Sequence, residues 1–256
     1  MYDEIRKPTL LKDIPMVLIR SLPSIYYFNE YANLSISEKP RRLFETNINF
    51  IDKSLKFYAE KLELSKCSEI AESFRNLQKL EPGKFSKQLL EATESLSEIC
   101  TTHKDRFRSI SRSEKQNFDK FYNEQVLKLK IILFSSAESN EKIDKIFSTL
   151  KNYCKYDTDT VSCGSSEISE QIIKSDVIIF TSANSPKIHE NIKQAASYKK
   201  PAIVLIPLSG NGEDRLSLRH GKQLQNAGFH VIIKSFTPIR LFTSIDKEYI
   251  KYSFKN

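Results

Sequence analysis

The sequence has no uninterrupted apolar run of about 18 residues, the minimum length of a membrane-spanning helix. It also lacks the charged-then-apolar start and the small-residue cleavage site of a secretory leader. Its four cysteines show neither Cys-x-x-Cys spacing nor the density of a secreted disulfide scaffold; they are Cys67, Cys100, Cys154 and Cys163. We therefore expect a cytoplasmic protein with no membrane partner and with reduced, structural thiols.

Metal and nucleotide motifs are missing as well. The four histidines are scattered, and no pair has the spacing of metal ligands; they are His103, His189, His220 and His230. Gly210-Asn-Gly212 lacks the lysine of a P-loop and does not follow the first strand, as a dinucleotide fingerprint would. We therefore expect neither a metal nor a cofactor.

Positive charge is in excess, but it is unevenly distributed. The net charge is +8, yet residues 1–100 hold 15 Lys and Arg against 15 Asp and Glu, whereas residues 126–256 hold 19 against 13. A solvated basic face, or a pocket for an acidic ligand, explains the C-terminal excess as well as DNA binding does.

Apolar patterning divides the chain into two parts. Residues 1–100 repeat apolar side chains at helical three- and four-residue spacing, whereas the second part alternates short apolar blocks with amphipathic stretches. The apolar blocks predict strands at Leu129–Phe134, Val177–Phe180, Ala202–Ile206 and Phe229–Ile233, with Thr158–Cys163 as a weaker fifth. The amphipathic stretches predict helices at Asn140–Tyr153, Glu167–Lys174 and Ile188–Tyr198. This alternation is typical of a parallel sheet covered on both faces.

The predicted organisation is therefore α + α/β: a helical domain over residues 1–100, a charged linker helix over 101–126, and a three-layer α/β/α domain over 127–256. In the helical domain, Pro40 suits a first helical turn, so we predict a helix through Arg41–Thr46. A second helix capped at Ser54, a turn at Glu63–Leu64 and a third helix capped at Ser65 would form a helix-turn-helix. Ordinary packing of two amphipathic helices is the alternative.

The segment Asp176–Pro186 runs from an apolar strand through a Ser/Asn turn towards a helix near Lys187. Such junctions bind phosphate in α/β proteins, because the helix N-terminus offers unpaired N–H donors and a favourable dipole. Ser182 and Ser185 are candidate hydroxyl donors, and Ser139 adds another from the loop after the first strand.

Several segments together resemble the RpiR-type transcriptional regulators, which join a helix-turn-helix domain to a sugar isomerase (SIS) domain. The resemblance rests on Leu34–Lys39, Glu45-x-Asn47, Ser54, Ala59–Lys66, Thr181–Pro186 and Arg240–Asp246, and it covers roughly residues 25–252. It implies a regulator, not an enzyme, whose partners are operator DNA and a sugar-phosphate effector, and which forms a homodimer or homotetramer through the SIS domain.

The resemblance also implies site residues. Ser139, Ser182, Asn184 and Ser185 would bind the phosphosugar, and Ser65, Lys66, Ser68, Arg75, Asn76 and Lys79 would contact DNA. The departures from the family pattern include one in each site. The phosphate loop has Ala183 where glycine is common, and the DNA-reading helix carries Glu69 and Glu72, whose carboxylates repel phosphates.

Two other classes of function remain open. SIS domains also occur in sugar-phosphate isomerases, for which a base such as Glu190 would be required. A receiver-like signalling module acting through protein contacts is the other, although Thr181 stands where the phospho-accepting Asp would be needed.

Overall fold

A computed structural model describes residues 11–31, 38–80, 86–135, 148, 150, 156–162, 168–181, 186–206, 214–233 and 238–255. The chain divides into two compact units, Met1–Leu127 with Ser253–Asn256, and Lys128–Tyr252. Among the described residues, no helix is long and apolar enough to cross a membrane.

The first unit is helical throughout its described residues. Its described helices are α1 (Met16–Ile19), α2 (Leu22–Tyr31), α3 (Glu38–Leu62), α4 (Ser65–Asn76), α5 (Ser86–Thr102), α6 (Lys104–Ser113) and α7 (Lys115–Gln125), with a 3₁₀ turn at Leu77–Lys79. The longest helix, α3, packs against α2, α4, α6 and α7. It is therefore the central element of this unit.

Helix α3 corrects the predicted start of the helix-turn-helix. Arg41–Thr46 and the segment after Ser54 belong to one 25-residue helix, and Ser54 is a buried interior residue rather than a cap. The reason is an unbroken apolar stripe at three- and four-residue spacing, formed by Phe44, Ile48, Ile51, Leu55, Tyr58 and Leu62. A serine within such a stripe is no helix boundary.

The predicted turn at Glu63–Leu64 is present. Glu63 has a positive φ of 52°, and Leu64 N donates to Ala59 O at 3.1 Å, which closes the end of α3. Helix α4 then begins at Ser65, but the preceding Leu64 occupies the cap position and no side chain caps it. Ser65 is therefore the first helical residue and not the predicted N-cap.

Residues 101–126, expected to form a linker helix, instead contribute two helices to the first unit. Phe107 on α6 and both Phe118 and Tyr122 on α7 are buried. The Tyr58 ring on α3 lies 4.9 Å from that of Phe107 and 5.4 Å from that of Phe118, measured between centroids. These charged helices are therefore held to α3 by aromatic side chains on one face.

A buried arginine crosses the same core. Arg20 is 3% exposed, and its guanidinium lies 4.1 Å from the centroid of the Tyr122 ring and 5.8 Å from that of Phe50. Its Nη2 also donates to Asp119 Oδ1 at 3.0 Å. This charge is thus stabilised by two aromatic faces and a carboxylate.

The second unit contains a five-stranded, all-parallel sheet of order β2-β1-β3-β4-β5. The strands are β1 (Leu129–Ser135), β2 (Tyr156–Ser162), β3 (Val177–Phe180), β4 (Ala202–Ile206) and β5 (His230–Ile233). The described helices are α8 (Ile168–Lys174), α9 (Pro186–Ser197), α10 (Asp214–Asn226) and α11 (Pro238–Lys255). All five predicted strands are confirmed within two residues, as is the α + α/β class; most of the predicted helix Asn140–Tyr153 lies outside the described residues.

Both faces of the central strands are buried, as parallel sheets require. One core cluster joins alternate strand residues such as Ile132, Phe134 and Phe180 to Ile192 of α9 and Leu224 of α10. The rings of Phe134 and Phe180 stack with centroids 5.3 Å apart.

Candidate functional site

The predicted DNA contacts lie on and just after α4. Ser65, Lys66, Ser68 and Asn76 are exposed, Arg75 is partly exposed, and exposed Lys79 ends the 3₁₀ turn. The opposite side of α4 is buried and consists of Cys67, Ile70, Ala71 and Phe74. The structure thus brings the predicted residues of α4 to one solvent-facing surface, because the apolar residues of the helix occupy the other.

The charges on this surface are largely compensated. Lys66 Nζ lies 3.0 Å from Glu98 Oε2 of α5, and Arg75 Nη2 lies 2.6 Å from Asp52 Oδ1 of α3. The hydrogen bond and charge of Asp52 raise the pKa of Arg75 above its usual value. Glu69 and Glu72 are exposed on the same surface. Exposed ion pairs are worth about 0–1 kcal/mol, so Lys66 can exchange its carboxylate for another anion at little cost.

Helix α6 carries more positive charge than α4, and the sequence interpretation assigned it no contact. Four exposed basic residues stand against one acidic residue over Lys104–Ser113; they are Lys104, Arg106, Arg108 and Arg112. Arg108 pairs with Asp13 at 2.8 Å, and Arg106 donates to Leu62 O at 3.0 Å. The excess of arginine in residues 104–113 could have indicated this basic surface. The sequence interpretation instead assigned the stretch to a linker.

In the second unit, the carboxyl ends of β1 and β3 are neighbours. Phe134 pairs with Phe180, and Thr181 N and Thr181 Oγ1 both donate to Phe134 O, at 3.2 and 3.1 Å. The chain leaves β1 towards β2 on one side and leaves β3 towards β4 on the other. This reversal makes the β1/β3 edge a topological switch point, where open α/β sheets bind ligands.

The predicted phosphosugar residues follow these two strands in sequence. Ser139, Ser182, Asn184 and Ser185 lie outside the described residues, so their side chains have no described geometry. Helix α9 begins at Pro186, the residue after Ser185. Glu190, the base that an isomerase would need, is exposed on α9. Buried Thr181 has its hydroxyl committed to Phe134 O.

A polar cluster that the sequence interpretation missed links β5 to α11. His230 Nδ1 lies 3.3 Å from Glu248 Oε1, and His230 Nε2 lies 3.1 Å from Ser244 Oγ. Burial acts to raise the pKa of Glu248, but the hydrogen bond with His230 and the charge of Lys251 hold it below its usual value. Spacing alone gave no signal, because His230 and Glu248 meet only through the fold.

The order Ser–His–carboxylate is that of a nucleophile, a base and an orienting acid. Ser244, however, is 7% exposed and lies within α11, where the backbone N–H groups bond along the helix. Such a serine has no adjacent pair of backbone donors for an oxyanion. His230 also begins its strand, at the edge opposite the carboxyl ends. The cluster therefore acts as a tie between strand and helix.

The cysteines described are buried thiols without disulfide partners. Burial raises the pKa of Cys67 to about 11, and it also raises that of Cys100. Both are therefore protonated and unreactive near neutral pH. Within the part of the chain that the structure describes, no three potential metal ligands lie together.

Comparison with known proteins adds no relative: no family description, no curated protein and no solved structure matches this chain.

Proposed function

We propose that this protein is a ligand-responsive regulator of transcription, in which a sugar phosphate bound by the α/β unit controls DNA binding by the helical unit. The observation that carries the ligand half of the proposal is the adjacency of the β1 and β3 carboxyl ends, joined through Thr181 and Phe134. The two loops that the sequence singled out both begin at this edge.

The chemistry of these loops suits an oxyanion. The stretch after Thr181 contains Ser182, Asn184 and Ser185, and α9 follows at once with its unpaired N–H groups. A phosphate would accept hydrogen bonds from these donors, and the hydroxyl groups of the sugar would form hydrogen bonds with the remaining side chains. The α/β unit would then respond to the ligand because the ligand binds one conformation of the unit better than another and so raises its population.

The DNA half rests on the α3–α4 pair. The short turn at Glu63–Leu64 directs α4 so that Ser65, Lys66, Ser68 and Asn76 face solvent together. Hydroxyl and amide side chains of this kind bond to phosphates and base edges. With Glu69 and Glu72 on the same surface, the affinity of one site is expected to be low, so that binding requires paired half-sites.

The test is retention of genomic DNA fragments by the full-length protein at two salt concentrations, with and without a mixture of hexose and amino-sugar phosphates. A regulator retains a few fragments selectively, loses them at higher salt, and changes its retention when the sugar phosphates are added. Retention of no fragment above background contradicts the DNA half.

Matched variants separate the two halves. Lys66→Glu is expected to weaken fragment retention and to lower its salt dependence. Lys87→Glu on α5 is the control. Lys87 lies about 16 Å along that helix from Glu98, the ion-pair partner of Lys66, at a rise of 1.5 Å per residue. Ser182→Ala with Ser185→Ala is expected to abolish the sugar-phosphate effect alone. Ser197→Ala, at the far end of α9, changes a serine whose hydroxyl bonds Gln194 O and is expected to preserve the effect.

A regulator acting through protein contacts is the second candidate. It is favoured by the paired cations and the exposed Glu69 and Glu72 of α4, since a mixed-charge surface suits a protein partner better than a phosphate backbone. Its signature is a sugar phosphate that binds to the protein in calorimetry while the fragment experiment retains no DNA.

A further inference from the structure

The positive charge of the helical unit is concentrated on α6 and not on α4. Over Lys104–Ser113 four basic residues stand against one acidic residue, whereas over Ser65–Asn76 two stand against two. Both cations of α4 are also held by carboxylates, at 3.0 and 2.6 Å. A protein that binds a nucleic acid neutralises phosphates with Lys and Arg, and these contacts supply a large share of its affinity. Helix α4 alone therefore provides little of that attraction.

Three of the four cations lie along one side of α6. Lys104, Arg108 and Arg112 recur every four residues, so they share a side of the helix and are about 6 Å apart along its axis. Arg108 is held by Asp13, whereas Lys104 and Arg112 have no ion-pair or hydrogen-bond partner among the described residues. Lys104 and Arg112 can therefore bind an anion without first leaving a carboxylate.

The remaining cation, Arg106, places α6 beside the predicted DNA-reading helix. Its Nη2 donates to the backbone O of Leu62, the last residue of α3, at 3.0 Å, and α4 begins three residues later at Ser65. The start of α6 and the start of α4 therefore meet at the same end of α3. A duplex that contacts Ser65 and Lys66 comes close to the first turn of α6.

The chemistry of α6 distinguishes between anionic partners. Its seven exposed residues are five charged residues and two serines, so no apolar side chain is exposed on this helix, which the structure describes throughout. A helix that binds a membrane surface needs an apolar face to insert among the lipids, but Phe107 of α6 is buried against Tyr58. Guanidinium groups and hydroxyls bond the phosphate oxygens of nucleic acids. A nucleic-acid backbone is therefore the partner that this helix fits best.

We infer that α6 is the main phosphate-binding surface of the helical unit, where Lys104 and Arg112 contact the backbone of a DNA duplex whose bases face α4. The contacts of α6 position the duplex without regard to its sequence, and those of α4 read it. This inference rests on the DNA half of the proposed function. It needs no operator, however, because phosphate contacts form with a duplex of any sequence.

The test measures binding of the full-length protein to a labelled duplex of arbitrary sequence, about 30 base pairs long, by fluorescence anisotropy between about 50 and 200 mM salt. Lys104→Gln with Arg112→Gln should weaken binding more than about tenfold at the lowest salt and reduce the slope of log K against log salt by about two. An unchanged slope would overturn the inference. Binding to phosphatidylserine vesicles but to no duplex would also overturn it, and would assign α6 to a membrane surface.

Two further double variants separate the loss of charge from a loss of stability. Lys87→Gln with Arg41→Gln removes the same charge from exposed positions near the starts of α5 and α3, and should leave the slope unchanged. Arg41 is about 30 Å along α3 from Leu62, at a rise of 1.5 Å per residue. Lys104→Arg with Arg112→Lys keeps both charges and should retain the wild-type slope. If it lost as much binding as the glutamine variant, charge would not be the cause and the inference would be wrong.

The outcomes also separate this inference from the proposed function. If the genomic experiment retains selected fragments, and the glutamine variant retains them with the same salt dependence, the inference about α6 is wrong and the regulator stands. If no fragment is retained selectively, but the arbitrary duplex binds with the expected dependence on Lys104 and Arg112, then α6 binds DNA and the regulator is wrong. If no duplex binds under any of these conditions, both are wrong.

Discussion

The two units bury different chemistry in their cores. The centre of the sheet is apolar: Ile178, Ile179, Val204 and Leu205 are all fully buried. The core of the helical unit instead contains a buried charged side chain, Arg20, which contacts a tyrosine ring and an aspartate. Parallel strands bond to one another through the backbone, so their side chains need only pack, whereas helices must also position their neighbours by side-chain contacts.

The largest expected effect tests the apolar core. Phe180→Ala removes a fully buried ring stacked on Phe134 and should lower the free energy of unfolding by about 3–5 kcal/mol, because the cavity cannot collapse. Urea denaturation measures the change. Ile173→Ala, which alters a side chain 52% exposed on α8, is the control and should cost less than about 0.5 kcal/mol. A small effect of Phe180→Ala would mean that the sheet core can repack.

Arg20→Met tests the mixed core of the helical unit. It removes the Asp119 bond and the Tyr122 cation–π contact while keeping a long apolar side chain, and should cost about 2–3 kcal/mol by urea denaturation. Arg20→Lys keeps the charge but not the planar stack and should recover less than half of this loss. The exposed Arg112→Met is the control. If Arg20→Met left the free energy of unfolding unchanged, the two cores would differ in composition, but the stability of neither would depend on polar contacts.

The pH dependence of the second unit is expected to come partly from Glu248. Its pKa in the folded protein lies below the ordinary 4.5, so its contribution is present above 4.5 and is lost as the pH falls through the folded-state value. Glu248→Gln should lower the free energy of unfolding by about 1–2 kcal/mol at pH 7. It should also make that free energy fall less steeply as the pH becomes acid. Glu190→Gln on the exposed side of α9 is the charge-matched control. If the free energy of unfolding fell equally steeply with acid pH in wild type and in Glu248→Gln, the assignment to Glu248 would be wrong.

The smallest effect concerns the turn that orients α4. Glu63 adopts a left-handed conformation that suits glycine, so Glu63→Gly should raise the free energy of unfolding by about 0.5–1 kcal/mol. Glu60→Gly, three residues earlier within α3, should instead lower it by a similar amount. Thermal denaturation of the pair measures both. A loss of stability in Glu63→Gly would show that the Glu63 side chain contributes more than its backbone costs.

The same contrast explains what the sequence could predict. The strands Val177–Phe180 and Ala202–Ile206 were predicted to the residue, because a short apolar run between polar segments has one stable place, inside a covered sheet. The edge strand Tyr156–Ser162 was the weakest prediction, since its alternating aspartates and threonines carry little apolar signal.

The helical unit was harder because helix boundaries depend on competing local signals. Ser54 has the chemistry of a cap, but the apolar stripe continues through it and burial of that stripe outweighs one capping bond. The many charges of residues 101–126 obscured the fact that Phe107, Phe118 and Tyr122 are core residues. The partners of these rings on α3 lie more than forty residues away in sequence. The His230–Glu248 pair was not predictable, because it joins residues that only the fold brings together.

The outer strand β2 also bears on how copies of this protein can associate. Asp157 and Asp159 are exposed along it, and Lys130 Nζ on β1 lies 3.5 Å from Asp159 Oδ2. A strand from another copy added here would bring its own side chains beside these two carboxylates and reduce their solvation. This border of the sheet therefore resists the pairing of β2 with a strand from another copy.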